Sequence, residues 1–147
     1  MIDLRDASAS AATLIQALEL KPHPEGGHYR ETWRDAPADG SRGVGTAILY
    51  LLREGERSHW HRVDAAELWL WQAGAPLLLR IGADQQRVLG PAFGEGERLQ
   101  QVVPKHAWQS AHSLGSWTLC SCVVTPAFMF EGFELAAPDW APSPAGG

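Results

Sequence analysis

Two histidines stand two residues apart in Gly55-Glu-Arg-Ser-His59-Trp-His61, and a carboxylate follows at Glu67. On an extended segment, residues i and i+2 project to the same side. Such a pair offers two imidazoles to one metal ion. A carboxylate arriving on the next strand completes a facial set with open positions for substrate. The spacing nominates His59, His61 and Glu67 as ligands for a divalent transition metal: zinc, nickel, iron or manganese. A second segment, Val103-Pro-Lys-His106-Ala-Trp-Gln109, places a proline and a turn after a strand and brings a polar residue back to the same place. Gln109 and His106 are the candidates for the fourth group, although the amide oxygen of Gln109 is a weak ligand for a transition metal. Without a metal, His61 and Glu67 suit proton transfer, since an imidazole or a carboxylate can take a proton from carbon next to a carbonyl.

A third group is Glu25, Tyr29 and Glu31. If a strand runs from Gly27, then Tyr29, Glu31 and Trp33 share one face and His28, Arg30 and Thr32 the other. A phenol and carboxylates facing a common cavity are proton donors and acceptors. Tyr29 is read as catalytic, with Glu25 and Glu31 binding substrate. Trp69 and Trp71 share a face with Glu67, so apolar walls would surround that carboxylate, raise its pKa and line the substrate site. Trp60, between the histidines, should point the other way. Arg53, Arg57 and Arg62 cluster around the same segment and could meet a phosphate or carboxylate, or form a solvated basic face.

These groups need a scaffold. Helical spacing of Leu14, Ile15 and Leu18 predicts a single helix over Ser8–Leu20, capped by Ser8 or Ser10 and ended by Lys21-Pro22. Beyond it the period becomes strand-like. Strands are expected over Gly27–Trp33, Val44–Leu52, Ala66–Trp71, Pro76–Ile81, Gln86–Leu89, Leu99–Val103, Trp117–Val124 and Phe130–Leu135, with Gly, Pro and Asp at the turns between them. Many short strands at regular spacing predict a sandwich or closed barrel, and the lack of long crossover helices argues against a doubly wound α/β fold. Residues 136–147, rich in Ala, Pro and Gly, read as a tail with Trp140 as its anchor and a mobile end.

The chain has 147 residues, of which 45% are hydrophobic and 20% charged, close to the globular average and of single-domain size. A net charge of −5 leaves no global basic field for a nucleic-acid backbone. No apolar run reaches the roughly 20 residues that span a bilayer. Acids near the start replace the basic end of a signal peptide, so a cytoplasmic protein is expected. Cys120 and Cys122 would share one face of a strand, a poor geometry for a disulfide within the pair, and read as small core residues.

Several of these segments, taken in order, resemble one family. They are Pro24-Glu-Gly-Gly27-His-Tyr-Arg-Glu-Thr32, Ser58-His-Trp-His-Arg62, Glu67-Leu-Trp69 with Ala73-Gly74, Val103-Pro104 and Trp108-Gln109. Thr125-Pro126-Ala-Phe128 and Phe130-Glu131-Gly-Phe133-Glu-Leu follow. The order is similar to that of the cupin family once called domain of unknown function 985, also known as cupin-5, and it spans nearly all of residues 10–138. The resemblance implies an all-β double-stranded β-helix, a jelly-roll barrel of two packed sheets with one short N-terminal helix. It also implies a single domain over residues 1–147 and a homodimer. The implied architecture is similar to that of nucleotide-sugar epimerases acting on 4-keto-6-deoxy sugars. The chain departs from the pattern at several points. The gap between His61 and Glu67 is longer than in most cupins, and Gln109 stands where metal cupins carry their last histidine. His106 replaces a turn glycine, so a non-glycine residue must take that turn. Leu70 and Met129 stand where relatives often have histidine and aspartate.

The expected function is binding of a small polar metabolite in the barrel, with isomerase or epimerase chemistry on a carbohydrate-like substrate. His61 or Glu67 would remove a proton next to a carbonyl and Tyr29 would return one. Glu25, Glu31, His59, Trp69, Trp71 and Gln109 would contact the substrate, and a metal on His59, His61, Glu67 and Gln109 would polarise the carbonyl. The alternatives are a non-catalytic small-molecule-binding cupin and a metal-dependent oxygenase.

Overall fold

A computed structural model describes residues 1–144. Helix α1 (Ala11–Ala17) is shorter than the expected Ser8–Leu20. Ser10 caps it, its hydroxyl oxygen accepting the Thr13 N–H at 3.1 Å. Proline does not end it. Glu19 adopts a left-handed φ of 55°, and the Leu20 N–H returns to the Ile15 carbonyl at 2.9 Å. The chain has therefore reversed before Lys21-Pro22 is reached.

Among the described residues eleven strands follow. They are β1 (Lys21–Pro22), β2 (His28–Arg34), β3 (Thr46–Arg53), β4 (Arg57–Val63), β5 (Ala66–Gly74) and β6 (Leu77–Ile81). The rest are β7 (Gln85–Leu89), β8 (Gln100–Val103), β9 (Gln109–Ser113), β10 (Trp117–Thr125) and β11 (Phe133–Leu135). All eight expected strands are present with shifted ends; the last keeps only Phe133–Leu135, because Phe130–Gly132 forms a turn of 3₁₀ helix. β1, β4 and β9 were not expected as strands. The polar composition of Gln109-Ser-Ala-His-Ser hides β9, yet four of its five residues are buried.

The strands form two antiparallel sheets, ordered β1-β2-β3-β10-β5-β8 and β11-β4-β9-β6-β7. This is the expected all-β barrel of two packed sheets with one short helix. Period-2 alternation assigns the faces. Tyr50 and Leu52 of β3, Trp69 of β5, and Cys120 and Cys122 of β10 point inward onto Leu77, Leu79 and Ile81 of β6. Leu51 of β3 and Leu119 and Trp117 of β10 point outward, where Leu14 of α1 covers them. The helix thus seals the outer face of the first sheet. Both cysteines are free and buried in the core, as expected of small apolar residues.

Gly74 ends β5 at a φ of 87°, and a Cβ there would run into the Trp117 ring and carbonyl. Left-handed strain and overpacking act together, so Gly74→Ala is expected to destabilise by about 2–5 kcal/mol. Urea titration of both proteins measures this; an unchanged midpoint would show that the β5–β10 corner is not tightly packed.

The chain after β11 lies along β4. The Ala136 N–H donates to the Trp60 carbonyl at 2.9 Å, Arg57 donates to the Pro138 carbonyl at 3.0 Å, and the Trp140 ring lies 4.5 Å from that of Trp108. The predicted tail is therefore held as far as Trp140. The mobile end expected for it includes residues 145–147, which lie outside the described residues. Among the described residues no helix is long and apolar enough to cross a membrane.

Candidate functional site

Between the sheets, at one end of the core, lies a cavity of about 50 Å³. Its inner wall carries His23 and Glu25 from the β1–β2 turn, Tyr29 of β2, His61 of β4, Glu67 of β5 and Cys122 of β10. Glu31 and Arg34 of β2 and Phe128 and Phe130 form the outer part. Five of the residues read as functional from the sequence thus meet in one place: Glu25, Tyr29, Glu31, His61 and Glu67.

His59 is not among them. Along β4 and β9, Ser58 pairs with Ala111 and His61 with Gln109, so three steps on β4 match two on β9. This bulge flips the facing of every residue beyond it. Ser58 and His61 consequently point inward, in place of His59 and His61. The His59 Nε2 lies 2.8 Å from the Ala137 carbonyl, on the outside. A second bulge, between Glu31 and Trp33 on β2, has the same effect. Trp33, expected to share the face of Tyr29 and Glu31, is 47% exposed. Arg34 takes its place and donates from Nε and Nη2 to the two carboxylate oxygens of Glu31 at 2.8 and 2.9 Å.

Glu25 sits between two imidazoles. Its Oε1 lies 3.2 Å from His23 Nδ1 and its Oε2 3.1 Å from His61 Nδ1. The partner types dictate the protons. His61 Nδ1 donates to the His59 carbonyl at 2.7 Å, which leaves its Nε2 with the lone pair. His23 Nδ1 accepts the Glu25 N–H at 3.1 Å, which puts the His23 proton on Nε2. Ser58 donates its hydroxyl to Glu25 Oε2, so a carboxyl proton belongs on Oε1, facing His23. Burial pushes Glu25 up to about 8, with Ser58 opposing, and pushes His23 down to about 4, with His61 adding to the effect. At pH 7 the His23–Glu25 contact is therefore one between neutral groups and not an ion pair. Burial also lowers the pKa of His61, against the attraction of Glu67 and the His59 carbonyl.

Glu67 is held from behind. Gln109 donates its amide to Glu67 Oε1 at 2.8 Å, and Trp69 donates its indole N–H to Gln109 Oε1 at 2.8 Å. Burial pushes Glu67 up to about 7, His61 opposing and Glu25 reinforcing. That value places the group where it exchanges protons at neutral pH. Trp69 and Gln109 stand behind Glu67 and do not line the cavity. Trp71 lies further toward the other end of the barrel and donates to the Ala75 carbonyl at 3.0 Å. The expected substrate contacts of Trp69, Trp71, Gln109 and His59 are therefore not made at this cavity: β5 carries Glu67 to it and then leads the two tryptophans away.

The model of the family described as Cupin superfamily (DUF985) matches residues 12–136. The chain belongs to the Cupin_5 family. No curated protein matches it. A protein of solved structure from Shewanella oneidensis is 38% identical, with 88% of this chain and 85% of that one covered and a TM-score of 0.83. A hypothetical protein from Leishmania major is 30% identical, with 88% of each chain covered and a TM-score of 0.79. A Klebsiella pneumoniae protein described by its double-stranded β-helix domain shares the fold at 12% identity, covering 82% of this chain and 93% of that one with a TM-score of 0.61.

The metal site that the cupin resemblance implied does not fit these residues. His59 faces outward, the Gln109 oxygen already accepts the Trp69 N–H, and the amide nitrogen turned toward Glu67 has no lone pair to offer. Among the described residues no group of three or more His, Cys, Asp or Glu side chains is placed to hold a metal ion. His106, in place of the turn glycine, takes a left-handed φ of 67° and lies outside the cavity. The three arginines near the histidines have partners: Arg53 pairs with Glu56, Arg57 holds Pro138, and Arg62 pairs with Glu134 at 2.7 Å over the Trp108 ring.

Sequence reasoning missed His23, Ser58, Arg34 and Cys122. A signal existed for His23, which stands two before Glu25 as His59 stands two before His61. Ser58, Arg34 and Cys122 gave none. Arg34 reaches the cavity through a bulge, Ser58 turns inward onto Glu25 beside another, and Cys122 is apolar by composition.

Proposed function

We propose that this cupin is an acid–base enzyme that moves a proton on a small carbonyl-bearing metabolite, as a sugar isomerase or epimerase does. The observation that supports it best is the meeting of His61, Glu67 and Tyr29 on one cavity. In this reading the neutral His61 Nε2, or the Glu67 carboxylate, takes the proton from carbon beside the substrate carbonyl. The Tyr29 hydroxyl supplies a proton to the resulting enolate, and the abstracted proton returns to Tyr29 through solvent. No net charge or electron is transferred. Glu25, held neutral, stays beside His61 Nδ1 and fixes the imidazole with its basic nitrogen free.

The size of the site limits the substrate. A cavity of about 50 Å³ takes a few water-sized groups, since one water needs roughly 10–15 Å³ by the same measure. Only the reacting end of a sugar enters; a nucleotide sugar would keep its nucleotide outside, past Glu31 and Arg34. The test is incubation with a panel of aldoses, ketoses and small hydroxy-ketones in deuterium oxide, followed by proton NMR. Deuterium should enter next to the carbonyl of one compound, at least 100-fold more slowly with His61→Ala. A compound that binds and is recovered without exchange would overturn the reading in favour of a binding protein.

A further inference from the structure

We propose that Gln109 is a positioning residue, locked by Trp69, that makes Oε2 of Glu67 the one oxygen able to exchange a proton with the cavity. The inference rests on the acid–base reading of Glu67 for its catalytic meaning, but its geometry stands alone. An indole N–H can only donate, so the Gln109 amide has one orientation: oxygen to Trp69, NH₂ to Glu67. The Gln109 donor then engages Oε1, which favours Oε2 for a carboxyl proton, where it does not compete with that bond. Trp69 and Gln109 are each 1% exposed, so no water can replace either bond without opening the core. In this arrangement, two hydrogen bonds in series hold the Glu67 carboxylate in place from behind. A flipped amide would set its oxygen against the carboxylate and leave the indole unpaired, which costs two buried hydrogen bonds.

The groups facing Glu67 are few. His61 of β4 and Cys122 of β10 approach it from the cavity side, Gln109 of β9 from behind, Tyr50 of β3 acts on it from the core, and Glu25 acts from the neighbouring turn. Of these, only Gln109 is a neutral amide that cannot itself titrate. Its contribution can therefore be separated from theirs.

The experiment is an infrared titration of the Glu67 carboxyl band without substrate, with Glu67→Gln used to assign the band. Gln109→Leu removes a donor to the ionised form and should raise the midpoint by about one to two pH units. Trp69→Phe, which frees the amide to flip, should raise it less. Gln109→Glu supplies the rescue: below the pH at which residue 109 ionises, it can donate as the amide does, and the carboxyl stretching frequency should match that of the native protein. An unmoved Glu67 midpoint in Gln109→Leu would overturn the proposal. If that variant fails to fold, an unmoved midpoint in folded Trp69→Phe together with no acid rescue in Gln109→Glu overturns it equally. The outcome separates the two ideas. A moved midpoint in a protein that exchanges no substrate proton keeps the positioning role and removes the enzyme reading. Full turnover dependence on Glu67 with an unmoved midpoint does the reverse.

Discussion

Glu25→Gln is expected to melt about 10–20 °C above the native protein at pH 8.5 and close to it at pH 5. A folded-state pKa of about 8, above the ordinary 4.5, means that the folded state keeps a proton that the unfolded chain releases. The stability linked to Glu25 is thus fully present below about pH 4.5 and is lost as pH rises toward 8. The gap between the two values corresponds to roughly 5 kcal/mol, as an order of magnitude. The amide avoids this loss. Its oxygen can accept from Ser58, and its uncharged NH₂ lies beside His23 where the protonated acid lies. Glu67 adds a weaker decline between about pH 4.5 and 7, which the variant retains. His23 acts in the opposite sense. Its folded value of about 4, below 6.5, gives stability that is present above pH 6.5 and lost as pH falls toward 4. Between about pH 4.5 and 6.5 the two carboxyls together outweigh His23, so the balance of these three groups puts the highest native stability near pH 4.5, with a decline as pH rises. Calorimetric scans of both proteins from pH 4 to 9 give the answer. Parallel curves would mean that Glu25 is ionised in the fold and that the neutral His23–Glu25 pair does not exist.

Turnover should fall by about 10²–10⁴-fold in Glu67→Gln once a substrate is in hand. The amide keeps the shape of the side chain and can still accept the Gln109 donor, so the fold should survive while proton transfer is lost. The pH profile carries the same information. The rate should rise as Glu67 loses its proton near pH 7, and that limb should vanish in the variant, leaving whatever His61 supplies. Steady-state rates across pH 5–9 for the two proteins decide it; a variant with undiminished turnover would remove Glu67 from the mechanism.

Much of this molecule was legible in the residues. The strand spans Val44–Leu52 and Trp117–Val124 were expected and both strands form, and Cys120 and Cys122 share the inward face expected of them. Local periodicity and turn chemistry decide such features within a few residues, and no distant contact is needed. The same holds for α1, whose cap was expected at Ser8 or Ser10 and lies at Ser10, although its end was not foreseen. Glu19 accepts a left-handed backbone that its type disfavours, because burial of Leu20 beside Leu14 and Leu51 outweighs the local cost.

The site was legible in membership more than in arrangement. Glu25, Tyr29, Glu31, His61 and Glu67 were identified by type, and all five line the cavity. Which neighbours accompany them was not, because a strand's facing depends on register and one extra residue reverses it. The bulge before His61 exchanged His59 for Ser58, and the bulge before Arg34 exchanged Trp33 for Arg34. Neither leaves a mark in a local pattern, since a bulge is a property of two paired strands.

By itself, then, the sequence determined the all-β barrel, its single capping helix and the set of acid–base side chains, since each follows from periodicity, turn residues or chemical type. Only the tertiary structure decided that Glu25 rests neutral between two imidazoles, that His59 looks outward, and that Gln109 holds a carboxylate and not a metal. Those depend on strand register, on burial, and on which donor meets which acceptor across residues far apart in the chain.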